Sequence, residues 1–259
     1  MDVTRRVHLF LYSGETDIPT MVQAAEVLSP DICYLLVHEH LDADVMAALE
    51  ASAFPDARVE QIYECDHTDL YDVLGLVTTL ADQDQHESDT VYLNVSTGKR
   101  PASIGAALGS MDTSTDVTAY ITHTEEQEGD DDPTERLETY PIDSPTTDQV
   151  ALMAIIQELT TNGTGPNKSA VIQRADDVGH SLTTDLADPT SGTDKNTAQQ
   201  RLQSQLISPL GPDSKYEYVR VDSSGRSKKL TLTDSGVRAL RAFRHKSLNT
   251  LQNINIDIK

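Results

Sequence analysis

Between residues 7 and 122, short apolar runs alternate with stretches whose apolar residues recur every three or four positions. Val7–Tyr12, Ile32–His38, Val59–Cys65, Val91–Val95 and Val117–Thr122 are strand-like runs. Asp17–Leu28, Asp42–Ala53, Asp69–Ala81 and Pro101–Met111 are helical in pattern, and Leu70, Val73, Leu74 and Val77 mark one face of the third. Pro19 suits a first helical turn, and Asp42 suits an N-cap. Strands separated by helices run parallel, and near-continuous apolar strands need cover on both faces. The predicted class is α/β with a Rossmann-like, mostly parallel sheet.

The rhythm then changes. Glu125–Glu135 is a charge run that reads as a solvated loop, Leu137–Ile142 is expected as a last edge strand, and Asp143–Thr147 reads as a domain boundary. Asp148–Thr161 is predicted helical, with Val150, Leu152, Met153, Ile155, Ile156 and Leu159 giving a broad apolar face. A short helix opens at Asn167 or Lys168 and runs to Ala175, and a polar connection spans 178–193. Asp194 caps a helix through Leu206. Two strands, Tyr216–Val221 and Lys228–Thr233, flank an Asp-Ser-Ser-Gly turn, and a last helix starts at Thr233 or Asp234 and runs to about Ser247. The expected domains are 1–144, an α/β sensor unit, and 145–247, an α+β winged helix-turn-helix, with a tail over 248–259. In that tail Ile254, Ile256 and Ile258 alternate, as in an edge strand or a dimer contact.

Charge divides the chain in the same place. The formal net charge is −22. Residues 1–150 carry 31 acidic and 6 basic side chains, against 11 and 14 in residues 151–259. An acidic surface of this size fits a proteome adapted to high salt. Within 215–246, nine bases face three acids, a pattern suited to phosphate contact. The helix from Asp194 turns Ala198, Leu202 and Leu206 inward, which leaves Lys195, Asn196, Gln199, Gln200 and Gln203 on the other side. Asn and Gln can bond bidentately to adenine, and Lys to guanine or phosphate. The expected wing adds Arg226, Lys228 and Lys229 beside Gly225. Double-stranded DNA is therefore the expected partner of this half.

In the first half the chemistry concentrates in Asn94-Val95-Ser96-Thr97-Gly98-Lys99-Arg100-Pro101, directly after a strand and directly before a helix. Ligands of doubly wound folds sit at the carboxyl ends of strands, and a helix N-terminus there favours anions. Lys99 and Arg100 are two of only six bases in residues 1–150. A Walker A loop is excluded, because position 93 is Leu and position 100 is Arg. A dinucleotide fingerprint is excluded too, since Leu11-Tyr12-Ser13-Gly14-Glu15 holds a single glycine. No cofactor, metal site or catalytic group is expected. Cys33 and Cys65 read as small core residues, and His38 and His40 as structural or surface residues. No histidine lies in either loop segment.

Two resemblances follow from these residues. Lys229-Leu230-Thr231-Leu232-Thr233-Asp234-Ser235-Gly236-Val237-Arg238-Ala239-Leu240 resembles the end of the wing in many archaeal and bacterial winged helix regulators, where a Leu-Thr-x-x-Gly step turns the ribbon into a packed helix. Asn94–Arg100, with Ser13–Asp17 after the first strand, resembles the pocket loops of the CARF sensor domain, although Ser-Thr-Gly-Lys is shorter than that family's double-glycine form. CARF domains fused to winged helices are similar to the haloarchaeal HFX-type transcriptional regulators linked to CRISPR defence. With no signal-peptide pattern in residues 1–12 and no apolar run of transmembrane length, a cytoplasmic location without membrane contact is expected. The resemblance implies a homodimer. It implies that Ser13, Gly14, Asn94, Ser96, Thr97, Gly98, Lys99 and Arg100 bind an anionic nucleotide, in that family a cyclic oligoadenylate. Two alternatives stay open: a metal-independent ring nuclease that degrades the ligand, and a dimeric DNA-binding protein with no ligand.

Overall fold

A computed structural model of the protein describes residues 4–54, 57–83, 88–113, 116–123, 133–138, 142–160, 164–180, 182, 194–222 and 228–247, with backbone alone for 194–197. The expected tail, 248–259, lies outside the described residues. The chain forms two compact units, Met1–Asp143 and Ser144–Lys259. Among the described residues no helix is long and apolar enough to cross a membrane.

The first unit runs β1 (Arg6–Tyr12), α1 (Ile18–Leu28), β2 (Ile32–Val37), α2 (Ala43–Ala53), β3 (Arg58–Glu64), α3 (Leu70–Ala81), β4 (Thr90–Asn94), α4 (Arg100–Ser110), β5 (Val117–Thr122) and β6 (Thr134–Arg136). The sheet order is β3-β2-β1-β4-β5-β6, parallel except for the last pair. Successive residues of a strand face opposite sides. Val7, Leu9 and Leu11 therefore pack with Val73, Val77, Ala102 and Ala106 of α3 and α4. Phe10 and Tyr12 pack with Met21, Ala24 and Leu49 of α1 and α2. This is the doubly wound, Rossmann-like sheet expected from the alternation. Asp42 and Asp69 cap α2 and α3 by accepting from the N–H groups of Val45 and Tyr71.

The edge strand falls earlier than expected. Residues 134–136 pair with β5, starting inside the stretch read as a charged loop and ending one residue past it, while Leu137 and Glu138 are not strand. The N–H of Leu137 donates to the Ala119 carbonyl (2.8 Å), and its side chain packs on the core. That anchor sets the register of a three-residue edge whose other side chains need no burial.

The second unit runs α5 (Thr147–Leu159), α6 (Lys168–Asp177), α7 (Asp194–Arg201), a π-helical stretch (Leu202–Ile207), α8 (Ser208–Leu210), β7 (Val219–Asp222), β8 (Lys229–Leu232), α9 (Asp234–Ala242) and a 3₁₀ turn (Arg244–Ser247). Three helices, an antiparallel ribbon and a packed last helix make a winged helix. Thr146 and Gln149 close α5 with a reciprocal capping box. Every residue from Val150 to Ile156 is fully buried, so α5 is the central helix and is apolar on all sides rather than on one broad face. The helix from Asp194 also runs past its expected end at Leu206, through Pro209, because proline is tolerated in the first turn of α8.

The Leu-Thr-x-x-Gly step has a physical basis. Thr233 caps α9: its Oγ1 accepts from the Gly236 N–H (3.0 Å) and donates to the Glu217 carbonyl (2.7 Å). A Cβ at Gly236 would stand 2.1 Å from the Tyr218 carbonyl oxygen, closer than any real contact. Gly236→Ala must therefore push the last helix off the ribbon. It is expected to destabilise the protein by about 2 kcal/mol or more, despite alanine's better helix propensity, whereas the exposed Ser235→Ala should be close to neutral. Chemical denaturation of both variants checks this.

One buried group makes stability depend on pH. His8 is fully buried, stacked on Tyr92 (4.8 Å between centroids), with Nδ1 3.2 Å from the Tyr120 hydroxyl. Burial, followed by the charge of Arg6, pushes its pKa down to about 3. The unfolded chain takes up this proton at about pH 6.5 and the folded chain does not. Stability is therefore fully present above that pH and falls as pH drops toward 3, by about 1.4 kcal/mol per unit at the steepest. His8→Phe should flatten this slope in urea denaturation between about pH 7 and about pH 5. An unchanged slope would assign the acid sensitivity to other groups.

Candidate functional site

The strand order reverses between β1 and β4, and their following helices leave to opposite faces of the sheet. The carboxyl ends of these two strands therefore flank the crevice where such folds bind ligands. After β1, Ser13 is exposed and Gly14 half-buried. The Asp17 carboxylate accepts from both the N–H (2.7 Å) and the Oγ (2.9 Å) of Ser13, which ties off this loop and occupies one of its two acids.

After β4 the expected ligand residues divide into two groups. Asn94 is fully buried; it donates to Thr122 Oγ1 (2.9 Å) and accepts from the Ser96 N–H (2.9 Å). Ser96 Oγ accepts from the Thr122 N–H (2.6 Å). These two residues brace the loop against β5. Thr97 is buried, Gly98 and Lys99 are half-buried, and Arg100 is exposed. Gly98 has φ of 79°, and a Cβ there would stand 2.7 Å from that of Leu11 and 3.3 Å from Nδ1 of His67. Only glycine takes this left-handed turn over a packed floor. Lys99 is the N-cap of α4 and makes no side-chain cap bond. With Pro101 next, the N–H groups of Arg100 and Ala102 have no intrahelical acceptor. That end of α4, with Lys99 and Arg100 beside it, is suited to an anion.

The structure adds two histidines that sequence reasoning did not assign to this site. His38 follows β2 and is half-buried, within the structural-or-surface reading given to it. His67 follows β3 and is fully buried. The His67 N–H donates to Nδ1 of His38 (3.1 Å), and the rings lie 5.4 Å apart. Nε2 of His67 donates to the Leu36 carbonyl (3.1 Å). Burial lowers the pKa of His67, with His38 and Lys99 adding repulsion. Asp66 is held below its ordinary pKa by hydrogen bonds from the Thr68 hydroxyl and N–H, with His38 and Lys99 contributing attraction. The segment around Lys99 is therefore lined by groups from the ends of three strands. No group of three metal-ligating side chains occurs among the described residues.

In the winged helix unit the expected DNA contacts also divide. Gln200 and Lys228 are exposed, and Lys229 is half-buried opposite Asp222 in the ribbon. Gln199 donates to Ser169 Oγ (2.9 Å), and Gln203 to Ser208 Oγ (3.0 Å), so both amide donors are engaged within the unit. A π-helical stretch begins at Leu202, directly before Gln203. The side chains of Lys195 and Asn196, and all of Arg226, lie outside the described residues. Sequence reasoning missed Lys168, the first residue of α6. Its pKa is lowered by burial and then by the charge of Lys228.

Comparison with known proteins divides the chain in the same way. Residues 6–127 match a family model described as HFX_2341_N-like, N-terminal. Residues 148–244 match the model of the DUF6293 C-terminal winged helix domain. No curated protein matches the chain. Among solved structures, Csm6 of Enterococcus italicus, described as bound to cyclic hexa-2'-fluoro-hexa-dAMP, is similar at 10% identity with a TM-score of 0.40; the match covers 77% of this chain and 55% of that one. Protein VC1899 of Vibrio cholerae is similar at 12% identity with a TM-score of 0.36, covering 95% of this chain and 66% of that one. The chain thus matches one family model over its N-terminal unit and a winged helix model over its C-terminal unit.

Proposed function

We propose that the protein is a DNA-binding transcriptional regulator whose N-terminal unit senses an anionic nucleotide. The observation that carries this reading is the uncapped start of α4, with Lys99 at its N-cap, at the strand-order reversal of a chain that also carries a winged helix. Free N–H groups and a lysine suit phosphate there, and the fold offers no Walker A or dinucleotide loop to suit a different cofactor. The resemblance of Asn94–Arg100 to CARF pocket loops points to a cyclic oligoadenylate, and links the protein to CRISPR-type defence. We take the active species to be a homodimer, so that two winged helices address two half-sites about one helical turn apart. Ligand binding changes operator affinity only to the extent that it binds the two states differently.

On the DNA side, α7 is the element for the major groove. Gln200 is its exposed amide, and Lys168 and Lys228 hold phosphate.

Two measurements test these assignments. Binding of duplex DNA, followed by fluorescence anisotropy against salt, should weaken steeply as salt rises; Lys168→Ala and Lys228→Ala should each reduce the slope by about one. A slope unchanged in both variants would remove these lysines from the interface. Calorimetric titration of cyclic tetra-adenylate should show saturable binding that Lys99→Ala weakens about tenfold or more. Binding that is equal in the variant would move the pocket away from α4.

A further inference from the structure

Helix α4 has one side that packs within its own unit and one that does not. Ala102, Gly105, Ala106 and Gly109 are buried. Gly105 lies so close to the Leu70 carbonyl that a Cβ would collide with it, so α3 rests directly on this side. Pro101, Ile104, Leu108 and Met111 recur at intervals of three and four, which gathers them on another side. Ile104 is 53% exposed, and the other three are half-buried. On α3, directly after Leu70, Tyr71 adds an exposed ring.

The charge of this face is as unusual as its polarity. Residues 1–150 carry 31 acidic side chains. Glu26 lies in α1, Asp44 and Glu50 in α2, and Asp72 in α3, whereas α4 has no carboxylate. From Pro101 to Met111 there is no charged residue at all. An exposed apolar patch marks a contact surface, and the missing charge narrows what it contacts. A basic partner gains more from the acidic surface elsewhere. A nucleic acid gains nothing from a stretch without cations. A second copy of the chain carries the same net charge of −22 and is repelled wherever acidic faces meet. It approaches at low cost only where neither copy is charged. An apolar stripe is also complementary to its own copy across a two-fold axis.

We propose that two copies of the chain meet through the outer face of α4, with Ile104 in the contact. The inference rests on the homodimer reading above and adds the surface that forms it. The stripe begins at Pro101, directly after Lys99 and Arg100, so the contact borders the anion site of each copy. Salt screens the repulsion between the acidic surfaces and leaves the apolar contact intact, so it acts on this pairing in the opposite sense to DNA binding.

The test is sedimentation equilibrium of the full chain, without nucleotide or nucleic acid, at low and high salt. Ile104→Glu puts a charge into the stripe, and Val45→Glu puts the same charge on the exposed side of α2. The expected result is a wild-type dimer that tightens as salt rises, is weakened about thirtyfold or more by Ile104→Glu and is little changed by Val45→Glu. Thermal denaturation confirms that Ile104→Glu folds, and Ile104→Ser carries the test if it does not. A wild-type dimer that the Ile104 variant leaves intact, that Val45→Glu weakens equally, or that loosens as salt rises would overturn this inference and leave the homodimer standing. A wild-type monomer at every concentration would overturn both together.

Discussion

The reversal of strand order between β1 and β4 is the constraint on which the N-terminal unit depends. One helix layer must follow β1 and the other must follow β4, so the chain opens a crevice between adjacent strands that are bonded along their length. Backbone groups at the carboxyl ends of those strands meet no further strand, and the loops that cap them must satisfy or expose them. Here the β1 loop is tied off by Asp17, and the β4 loop by Asn94, Ser96 and Thr122. What these ties leave open is a short arc from Gly98 to Arg100. The fixed residues are as necessary as the open ones, because a loop that must hold Lys99 at one place cannot be held by Lys99 itself.

Much of this was legible in the sequence. A period of two or of three to four residues survives any tertiary arrangement, so the strands and helices of the sheet stand close to where the apolar residues put them. The expected wing and the Thr233–Gly236 step follow from local chemistry of capping and close approach. The edge strand was not legible, since three residues ending on one apolar anchor carry no alternation. Nor was the role of His38 and His67. The connection from β3 must travel back over the ends of β2 and β1 before α3 can settle beside α4. That path carries His67 under Gly98, which lies 31 positions later in the sequence. Spacing along the chain holds no trace of such a meeting.

Helix α7 shows the converse limit. A helical wheel drawn at a constant period gathers Gln199, Gln200 and Gln203 on one side. The π-helical stretch changes that period at Leu202. The stretch buries Leu202, Leu206 and Ile207 together, so the departure from α geometry is fixed by core packing while its effect is felt on the surface. Gln199 and Gln203 become struts to Ser169 and Ser208, leaving Gln200 as the exposed amide among the described side chains.

One further hydrogen bond ties the winged helix together. The N–H of Leu230, in the second strand of the ribbon, donates to the carbonyl of Pro166, two residues before α6 begins. The ribbon and the start of α6 are therefore clamped as a single piece, with Lys228 on one arm and Lys168 on the other. On the reading proposed above, a nucleic acid meets Lys228 and Lys168 on one clamped piece. Preorganisation of this kind converts folding free energy into grip, without asking the nucleic acid to order flexible side chains.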